Sequence, residues 1–435
     1  MSPSPNSSAD VVIIGGGIVG LATACYLARR KVGVVLLEKG RLAWEQSSRN
    51  WGFVRQQGRD PAELPMMVQA NRLWRAIGEE ADADTEWRQG GNLALAQSEE
   101  ALALYEEGRE QARQHGIDTR VLSKAEVRAL LPDYQGPYLG GLHTPSDGQA
   151  DPYKGTLAFA KAARQAGADL REYVAVEGFE LAGGHIAGVR TTQGSIATNT
   201  VVCAAGAHSA FLARMVGLSL PQRAVRSSVA RTAPLPHITD LGVWGGTVGF
   251  RQTRDGRVVL GRTSAGVADY DVTLDGLRHL RLFLPIFLKN RDMFRMRVGK
   301  PLWQDIWRRI PGTAGHRHPF AHAVDEEPPV NEKTLASSAA LFQTYFPHLG
   351  PVTIEHRWAG LIDATPDLLP VLGEARARPG FIFATGFSGH GFGLGPGAGH
   401  ALAQLIAEGR SDLDLRPMRF ERFAEGDMSK AKKIL

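Results

Sequence analysis

Cysteine is nearly absent from this chain of 435 residues, which contains only Cys25 and Cys203. Both lie in apolar segments that we expect to be buried, which argues against a disulfide framework and against a structural metal centre. We therefore expect no metal site. So few thiols suit a reducing compartment.

The chain also lacks a long apolar run, because no segment approaches the ~18 residues that a membrane-spanning helix needs. Residues 1–9 are polar and contain no apolar stretch typical of a secretory signal. We expect this segment to be a frayed tail and the protein to be cytoplasmic.

An excess of charge of one sign is missing as well, since 50 lysines and arginines face 45 aspartates and glutamates, a net charge of +5. Over this length the surplus gives little support for a nucleic-acid surface, so we expect no nucleic-acid partner.

The length favours two or three domains. A content of 43% hydrophobic and 22% charged residues is typical of a globular protein.

What the sequence does contain is a dinucleotide-binding pattern in residues 10–38. A β-branched run, 11–14, is typical of a strand buried on both faces, and a helical pattern covers 18–29. Three glycines follow the strand in G-x-G-x-x-G spacing: Gly15, Gly17 and Gly20. A second apolar strand, 34–37, ends at Glu38.

Each part of this pattern has a physical role in holding a dinucleotide. Gly15 permits a tight turn, Gly17 lets the backbone approach a pyrophosphate, and Gly20 lets the helix pack on the strand. Free N–H groups at the helix N-terminus attract phosphate. Glu38 can accept a hydrogen bond from a ribose 2′-hydroxyl, which favours FAD or NAD over NADP.

A second glycine cluster lies in the last third of the chain. An apolar strand, 381–385, runs into the segment 386–396 (GFSGHGFGLGP), and a helix follows through Glu408 with Gly399 as an exception inside it. Glycines at this density between a strand and a helix indicate backbone that lies close to a flat or charged group.

The rest of the chain first alternates between helical and extended patterns. We expect the following elements: helices at 62–80, 99–114 and 154–166, strands at 172–176, 186–191 and 200–205, and a hairpin that joins Phe250 to 258–260 through 254–256. The region of the hairpin, 224–267, has short strands and turn signals, which predicts an antiparallel sheet.

Residues 271–306 mix bulky apolar side chains with arginines and lysines. One interpretation is a basic amphipathic surface that makes peripheral contact with the inner face of a membrane. The other, which we favour, is a lid or packing helix over the second domain. We expect Pro285 to interrupt any single helix here.

Six segments together resemble the D-amino-acid oxidase superfamily of FAD-dependent amine oxidoreductases, which contains glycine oxidase, sarcosine oxidase and D-amino-acid dehydrogenases. They are spread over nearly the whole chain: VVIIGGGIVGLATACYLA with Glu38, DGQADP, TVVCAAGAHS, DGRVVLG, WAGLIDATPDLLPVLG and FATGFSGHGFGLGP. The resemblance implies an α/β fold. A Rossmann-like FAD-binding domain (1–90, 151–223 and 346–435) would carry a mainly antiparallel-sheet substrate domain (91–150 and 224–345).

The resemblance also assigns cofactor contacts. It places Glu38 at the adenosine ribose, Val176 at adenine, and 389–393 at the pyrimidine edge of the flavin, where a helix N-terminus would stabilise the anionic reduced form. The residues expected to bind FAD are Gly15, Gly17, Ile18, Val19, Gly20, Glu38, Lys39, Ser47, Ser48, Arg49, Asn50, Trp51, Gly52, Val176, Ala205, Gly206, Gly360, Gly389, His390, Gly391, Phe392 and Gly393.

Two departures from the family pattern matter. Some sarcosine oxidases attach flavin through a cysteine before their TPD motif, whereas the matching position here is Gly360, so we expect non-covalent FAD. Glycine oxidase has an arginine after WAGL that clamps the substrate carboxylate, whereas this chain has Ile362 followed by Asp363. A carboxylate clamp at that point is therefore absent.

Either another arginine, Arg55 or Arg251, binds the carboxylate, or the substrate is not a simple α-amino acid. Asp363 near the flavin would favour a cationic amine; alternatively, it is the structural partner of a cation such as Arg357. The residues that we expect to line the catalytic site are His390, Asp363, Arg55 and Arg251.

The resemblance predicts oxidation of the C–N bond of an amino acid, imino acid or amine to an imine, by hydride transfer to flavin N5. Several family oxidases hold a lysine over the flavin; the hairpin region here offers Arg251 instead, which slightly favours a dehydrogenase. The electron acceptor (O2, a quinone or a protein) stays open. The alternatives are a 2-hydroxy acid dehydrogenase and a flavoprotein subunit of a larger electron-transfer complex.

Overall fold

The computed structural model describes residues 7–263, 268–321 and 323–429. Residues 1–6, most of the predicted polar tail, lie outside the described residues, as do residues 264–267 of the predicted antiparallel region.

The described residues form strands with the following bounds: β1 (Ser7–Ser8), β2 (Val11–Ile14), β3 (Val34–Leu37), β4 (Phe53–Val54), β5 (Asn92–Ala96), β6 (Arg120–Ser123), β7 (Gly140–Thr144), β8 (Gly148–Gln149), β9 (Asp169–Arg171), β10 (Val176–Ala182), β11 (His185–Thr191), β12 (Gly194–Ala197), β13 (Val201–Cys203), β14 (Arg223–Thr232), β15 (Gly242–Gly245), β16 (Val248–Gln252), β17 (Val258–Arg262), β18 (Ala268–Asp271), β19 (Phe294–Arg297), β20 (Ile354–Ala364), β21 (Val371–Glu374) and β22 (Phe381–Thr385).

The α-helices have these bounds: α1 (Ile18–Arg29), α2 (Gln46–Arg49), α3 (Leu64–Glu80), α4 (Glu99–Gln114), α5 (Lys124–Leu130), α6 (Pro152–Gln165), α7 (Ser209–Met215), α8 (Leu274–Arg278), α9 (Leu280–Lys289), α10 (Lys300–Arg309), α11 (Ala314–Arg317), α12 (Glu332–Tyr345), α13 (Gly391–Glu408) and α14 (Arg422–Glu425).

A six-stranded sheet with the strand order β21-β22-β13-β2-β3-β9 organises the first half of the molecule. Its strands run parallel except β21, which is antiparallel to β22. Helices α1, α3, α6 and α13 pack together against it, and all four residues of β2 are buried. Burial on both faces explains the continuous apolar runs in its strands. The predicted α/β, Rossmann-like fold is confirmed.

Helices α1 and α13 pack unusually closely because glycine faces the contact. A Cβ atom at Gly399 would lie 2.6 Å from the backbone nitrogen of Thr23 and 2.7 Å from Ala22 Cβ. The glycine that the sequence marked as an exception inside the helix is therefore a packing residue, and α13 continues through it to Glu408.

One predicted strand, 172–176, is wrong. The chain instead forms β9 and β10 on either side, and β10 begins a small antiparallel meander with β11 and β12. Tyr173 between them has a φ of +57°, which an extended strand cannot accommodate. The amide of Val174 donates to the carbonyl of Glu38 at 2.8 Å, so this segment crosses from one sheet to the other.

A ten-stranded sheet builds the second half of the molecule, with the order β19-β18-β14-β17-β16-β15-β5-β7-β6 and β20 paired to β14. Most of its pairs are antiparallel, and β16 and β17 form the predicted hairpin. The prediction of a second, mainly antiparallel sheet is confirmed. Helix α12 packs on its back, where Phe250 of β16 meets Phe342.

The predicted domain boundaries stay a prediction, but the sheets divide the chain differently at one place. The resemblance assigns residues 346–435 to the FAD-binding domain, yet β20 pairs along its length with β14 of the ten-stranded sheet. The long strand β20 therefore joins the two halves of the molecule.

Residues 271–306 form two helices, a strand and the start of a third helix rather than one helix. The expected break at Pro285 is wrong: the proline lies inside α9, and the two helices end at Arg278 and Lys289. In the part of the chain that the structure describes, no helix is long and apolar enough to cross a membrane.

Candidate functional site

A cavity of about 150 Å³ lies where β2, β3 and β13 end and α1 begins; we call it the cofactor cavity. Its floor is the backbone of the first glycine turn. A Cβ atom at Gly15 would lie 2.4 Å from the carbonyl oxygen of Ala204, and one at Gly20 would lie 2.0 Å from the carbonyl oxygen of Gly15. No side chain fits at either position, so the turn and the start of α1 pack backbone against backbone, as a dinucleotide-binding strand–turn–helix requires.

Glu38 closes one end of the cofactor cavity. Its carboxylate accepts hydrogen bonds from the amides of Gly16 at 2.7 Å and Gly40 at 2.8 Å. Burial, with the nearby Glu45 carboxylate, raises the pKa of Glu38. Each carboxylate oxygen retains acceptor capacity, so the position suits a ribose hydroxyl.

Helix α2 supplies the side wall of this cavity. The hydroxyl oxygen of Ser47 accepts a hydrogen bond from the amide of Ile18 at 2.9 Å, which caps the start of α1. Arg49 is buried and donates to the carbonyl oxygen of Ala359 at 3.1 Å. Helix α2 is therefore hydrogen-bonded both to the start of α1 and to β20 beside the cofactor cavity.

A segment that sequence reasoning missed, residues 320–321 and 323–328, covers the outer side of the cofactor cavity, which Phe320 and Glu326 line. The amide of Arg41 donates to Asp325 at 2.8 Å, and its guanidinium donates to the same carboxylate at 2.9 Å. No glycine pattern marks this segment, so only the tertiary structure could show it.

Most of the predicted FAD residues line the cofactor cavity: Gly15, Gly17, Ile18, Val19, Glu38, Lys39, Ser47, Arg49, Asn50, Val176, Ala205, Gly206, Gly389, Gly391 and Phe392. Three others, Trp51, His390 and Gly393, line the neighbouring cavity instead. The last four line neither: Gly20, Ser48, Gly52 and Gly360.

Of these four, Ser48 donates its hydroxyl to the carbonyl oxygen of Trp44, and the three glycines lie at close contacts with neighbouring atoms. A Cβ atom at Gly52 would lie 2.3 Å from the carbonyl oxygen of Ala150, and one at Gly360 would lie 2.1 Å from the side-chain oxygen of Gln46. A cysteine at position 360 would therefore require the Gln46 side chain to move. Cys25 and Cys203 are both buried, and neither lines the cofactor cavity.

A second cavity of about 720 Å³ adjoins the first, and we call it the substrate cavity. Six residues line both cavities: Gln46, Arg49, Asn50, Ile362, Gly389 and Phe392. Its walls carry a large apolar and aromatic surface with a few polar groups, the composition of small-molecule sites.

Two arginines four residues apart, Arg55 and Arg59, lie in this cavity. The Arg55 guanidinium stacks over the Trp244 ring at 4.6 Å. Burial, with Arg59 as the next cause, lowers the pKa of Arg55 to about 9, so the group stays charged at neutral pH. Arg59 is also buried, and its Nη1 atom has no hydrogen-bond partner among the described residues.

His390 lies at the start of α13, facing the same two arginines. Its Nδ1 atom is 3.2 Å from Oε1 of Glu63, which is fully buried. Burial and the charge of Arg59 lower the pKa of His390, so its imidazole stays neutral at neutral pH. His390 and Arg55, both predicted from the sequence, are thus brought together.

The sequence does not predict a second wall of the substrate cavity, which is formed by Arg223, Tyr270 and Phe283. Arg223 donates to the Tyr270 hydroxyl at 2.7 Å and lies 4.5 Å from the Phe283 ring centre. These residues come from β14, β18 and α9, so no sequence spacing joins them. The position of Arg59 could have been found, because it follows Arg55 by four residues.

Asp363 and Arg251 are placed differently from the prediction. Asp363 lines the cofactor cavity, and its buried carboxylate accepts from the amide of Gly386 at 2.7 Å and from Thr385 at 3.1 Å. Burial raises its pKa. It therefore fixes the second glycine turn, whereas Arg357, its proposed partner, pairs with Glu332.

Arg251 lines neither cavity. It is buried behind the loop, where its guanidinium donates to the carbonyl oxygen of Trp51 and packs beside Gly52. Its role here is to hold the loop that carries Trp51. Of the two arginines considered for a substrate carboxylate, the structure exposes only Arg55 to the substrate cavity.

Comparisons with known proteins agree with this geometry. A model of the family described as FAD dependent oxidoreductase matches residues 10–405. Sarcosine oxidase subunit beta from Arthrobacter sp is 27% identical over 437 residues, covering 98% of this chain and 94% of that protein. Glycine oxidase from Geobacillus kaustophilus (strain HTA426) is 29% identical over 430 residues, covering 95% and 97%.

A solved structure, L-amino acid deaminase from Proteus myxofaciens in complex with anthranilate, matches with a TM-score of 0.89 at 28% identity and covers 97% of this chain and 96% of that one. The glycine cradle, the acid at the end of β3 and the family match lead to one conclusion. The chain belongs to the FAD-dependent oxidoreductase family of D-amino-acid oxidase, and it is an enzyme whose cofactor is FAD.

Proposed function

We propose that the enzyme oxidises the C–N bond of an amino acid whose carboxylate binds Arg55. The observation that carries the proposal is the Arg55 guanidinium, which reaches the substrate cavity on the face of Trp244 and lies beside a second buried arginine, Arg59. Two adjacent cations at the wall of a cavity favour an anionic ligand, and guanidinium binds carboxylate in bidentate fashion.

The positive charges of Arg55 and Arg59 also affect the protonation of the substrate amine. Arg55 and Arg59 repel an ammonium group and thereby favour the neutral amine, the form that can release hydride from its α-carbon. When bound, FAD supplies the two-electron acceptor for that hydride. Because the oxidation needs no base once the amine is neutral, the neutral His390 orients and shields the site rather than removing a proton.

The size and walls of the substrate cavity favour a bulky apolar substrate. Its volume of about 720 Å³ is bordered by aromatic residues that include Phe53, Trp244 and Phe283. Glycine or sarcosine would leave most of this space empty. We therefore propose an amino acid with a large apolar or aromatic side chain; the anthranilate in the related deaminase combines a ring with a carboxylate.

The experiment is anaerobic reduction of the flavin, followed by its visible absorbance. Each amino acid of a panel is compared with its decarboxylated amine and with the matching 2-hydroxy acid. We expect bleaching by bulky apolar amino acids and much slower bleaching by the amines. Bleaching by the hydroxy acids alone would contradict the proposal and support C–O oxidation.

The electron acceptor, the preference for a dehydrogenase and the non-covalent attachment of FAD stay predictions. The premise for a dehydrogenase was Arg251, which does not line either cavity. Stopped-flow reoxidation of the reduced enzyme by O2 and by a soluble quinone separates the acceptors, and acid precipitation shows whether FAD stays with the polypeptide.

A further inference from the structure

The outer surface of residues 277–310 exposes large apolar side chains at an unusual density. Nine of the sixteen exposed large hydrophobic residues in the described part of the chain fall in this segment. They include Leu288 at 59%, Val298 at 74% and Trp303 at 67% exposed. A patch of this kind normally marks a binding surface.

Helix α9 is apolar on two faces. Its inner face buries Phe283 and Ile286, which line the substrate cavity, so this helix lies along the wall of that cavity. Leu280, Leu284 and Leu288, spaced four residues apart, are exposed; the first two also line the substrate cavity, whereas Leu288 lines neither cavity. A helix with apolar residues all round is normally covered on every side, so the exposed leucines of α9 lack such a cover among the described residues.

The neighbouring elements continue this surface. The amide of Leu274 in α8 donates to Asp305 of α10 at 2.9 Å, which ties the two helices together. Leu280, Leu284 and Met296 are exposed and also line the substrate cavity, so α9 and β19 border the same opening.

The charge of the segment is strongly one-sided. Residues 274–310 contain nine lysines and arginines and three aspartates, a net charge of +6, whereas the whole chain has +5. The remaining residues are therefore close to neutral. Arg281, Arg291 and Arg295 are exposed between the apolar side chains.

We infer that this surface, 277–310, binds an anionic lipid bilayer. Exposed leucines and tryptophan interleaved with arginines are the composition of an interfacial membrane element, in which apolar groups enter the acyl boundary and cations meet lipid phosphates. A second copy of the chain fits poorly, because a two-fold contact would bring together two surfaces that each have a net charge of +7 over residues 277–310. Docking would place the rim of the substrate cavity at the lipid.

The test is flotation of the FAD-loaded enzyme with vesicles of phosphatidylcholine alone or mixed with phosphatidylglycerol. We expect flotation only with the anionic vesicles, release by high salt, and quenching of tryptophan fluorescence by brominated lipid. Arg281→Gln/Arg295→Gln removes two charges and should weaken binding about fivefold per arginine. Leu288→Gln/Trp303→Gln should abolish flotation.

Matched controls lie on other surfaces: Leu181→Gln removes an exposed leucine of β10, and Arg113→Gln an exposed arginine of α4. Both should float like wild type, and all variants should keep their flavin spectrum and melting temperature. Absence of flotation, or equal flotation of every variant, would overturn the inference. Concentration-dependent self-association that Leu288→Gln/Trp303→Gln abolishes, without vesicle binding, would assign the surface to a second copy instead.

Discussion

The two cavities lie side by side and share residues, but they are built from different parts of the chain. Backbone of the first glycine turn forms the floor of the cofactor cavity. A Cβ at Gly15, or at Gly20 behind it, would meet a carbonyl oxygen at 2.4 Å or 2.0 Å. Side chains form the substrate cavity, in which Arg55, Trp244 and Phe283 come from three distant segments.

This difference has a consequence for mutation. A backbone-lined cavity has no side chain to trim and no room for one, so almost any substitution harms both the fold and cofactor binding. A side-chain-lined cavity already borders empty space, so truncation there changes which ligand fits more than it changes stability. Substitutions in the two cavities test that contrast.

The largest effect should come from Gly20→Ala. Its Cβ would lie 2.0 Å from the carbonyl oxygen of Gly15, so α1 must move away from the turn. We expect loss of bound FAD and a destabilisation of about 3 kcal/mol. The measurements are the absorbance of purified flavin per chain and the melting temperature.

Gly393→Ala is the matched control for that variant. A Cβ there would meet only Met67 side-chain atoms at 3.5 Å and Arg59 at 3.6 Å, ordinary contacts. It should keep its FAD and melt close to wild type. Equal loss of FAD in both variants would contradict the view that backbone contact decides the outcome.

The next effect should come from Arg55→Met, which keeps the length of the side chain but removes its charge. We expect kcat/KM for amino acids to fall roughly 100-fold, because a charged hydrogen-bond pair to the substrate carboxylate is lost. Activity on the decarboxylated amines should change little. A uniform loss on both substrate classes would mean that Arg55 acts on the fold rather than on the carboxylate.

Sequence alone could predict the cofactor cavity because its residues follow one another. Gly15, Gly17 and Glu38 lie within a single strand–turn–helix–strand unit, whose local geometry is set by glycine and by apolar runs. The second glycine turn, 386–393, could be predicted for the same reason. Its His390 meets the substrate cavity because a helix N-terminus points there.

The substrate cavity could be predicted only in part. Arg55 was found, but Arg223, Trp244 and Phe283 approach it through the ten-stranded sheet and α9, and no spacing connects them. Arg251 was placed in the site because its hairpin was recognised. The sequence does not specify which face of β16 points to the cavity, and this guanidinium faces the backbone of Trp51 instead.

A smaller effect should follow from Phe283→Ala in α9. The ring lies against the open substrate cavity, so we expect a loss of only about 1 kcal/mol in stability, against about 4 kcal/mol for Phe383→Ala in the closed core of the six-stranded sheet. The ratio of kcat/KM for the bulkiest to the smallest accepted amino acid should change about tenfold. Urea unfolding and steady-state kinetics measure the two effects.

The smallest effect concerns the pH dependence of stability at His390. Its pKa is lowered in the folded protein from an ordinary value of 6.5 by burial and by Arg59. Below that value the unfolded chain binds more protons than the folded one, so His390 should make the protein less stable as the pH falls through 6.5 and should have no effect well above it.

In His390→Gln and His390→Asn this contribution is absent, so the difference in unfolding free energy between wild type and either variant should shift against wild type as the medium becomes acidic. Unfolding curves measured at several pH values provide the test. A difference that is constant with pH would show that the imidazole is no less basic in the folded site than in water, and the electrostatic link between His390 and the arginine pair would then be wrong.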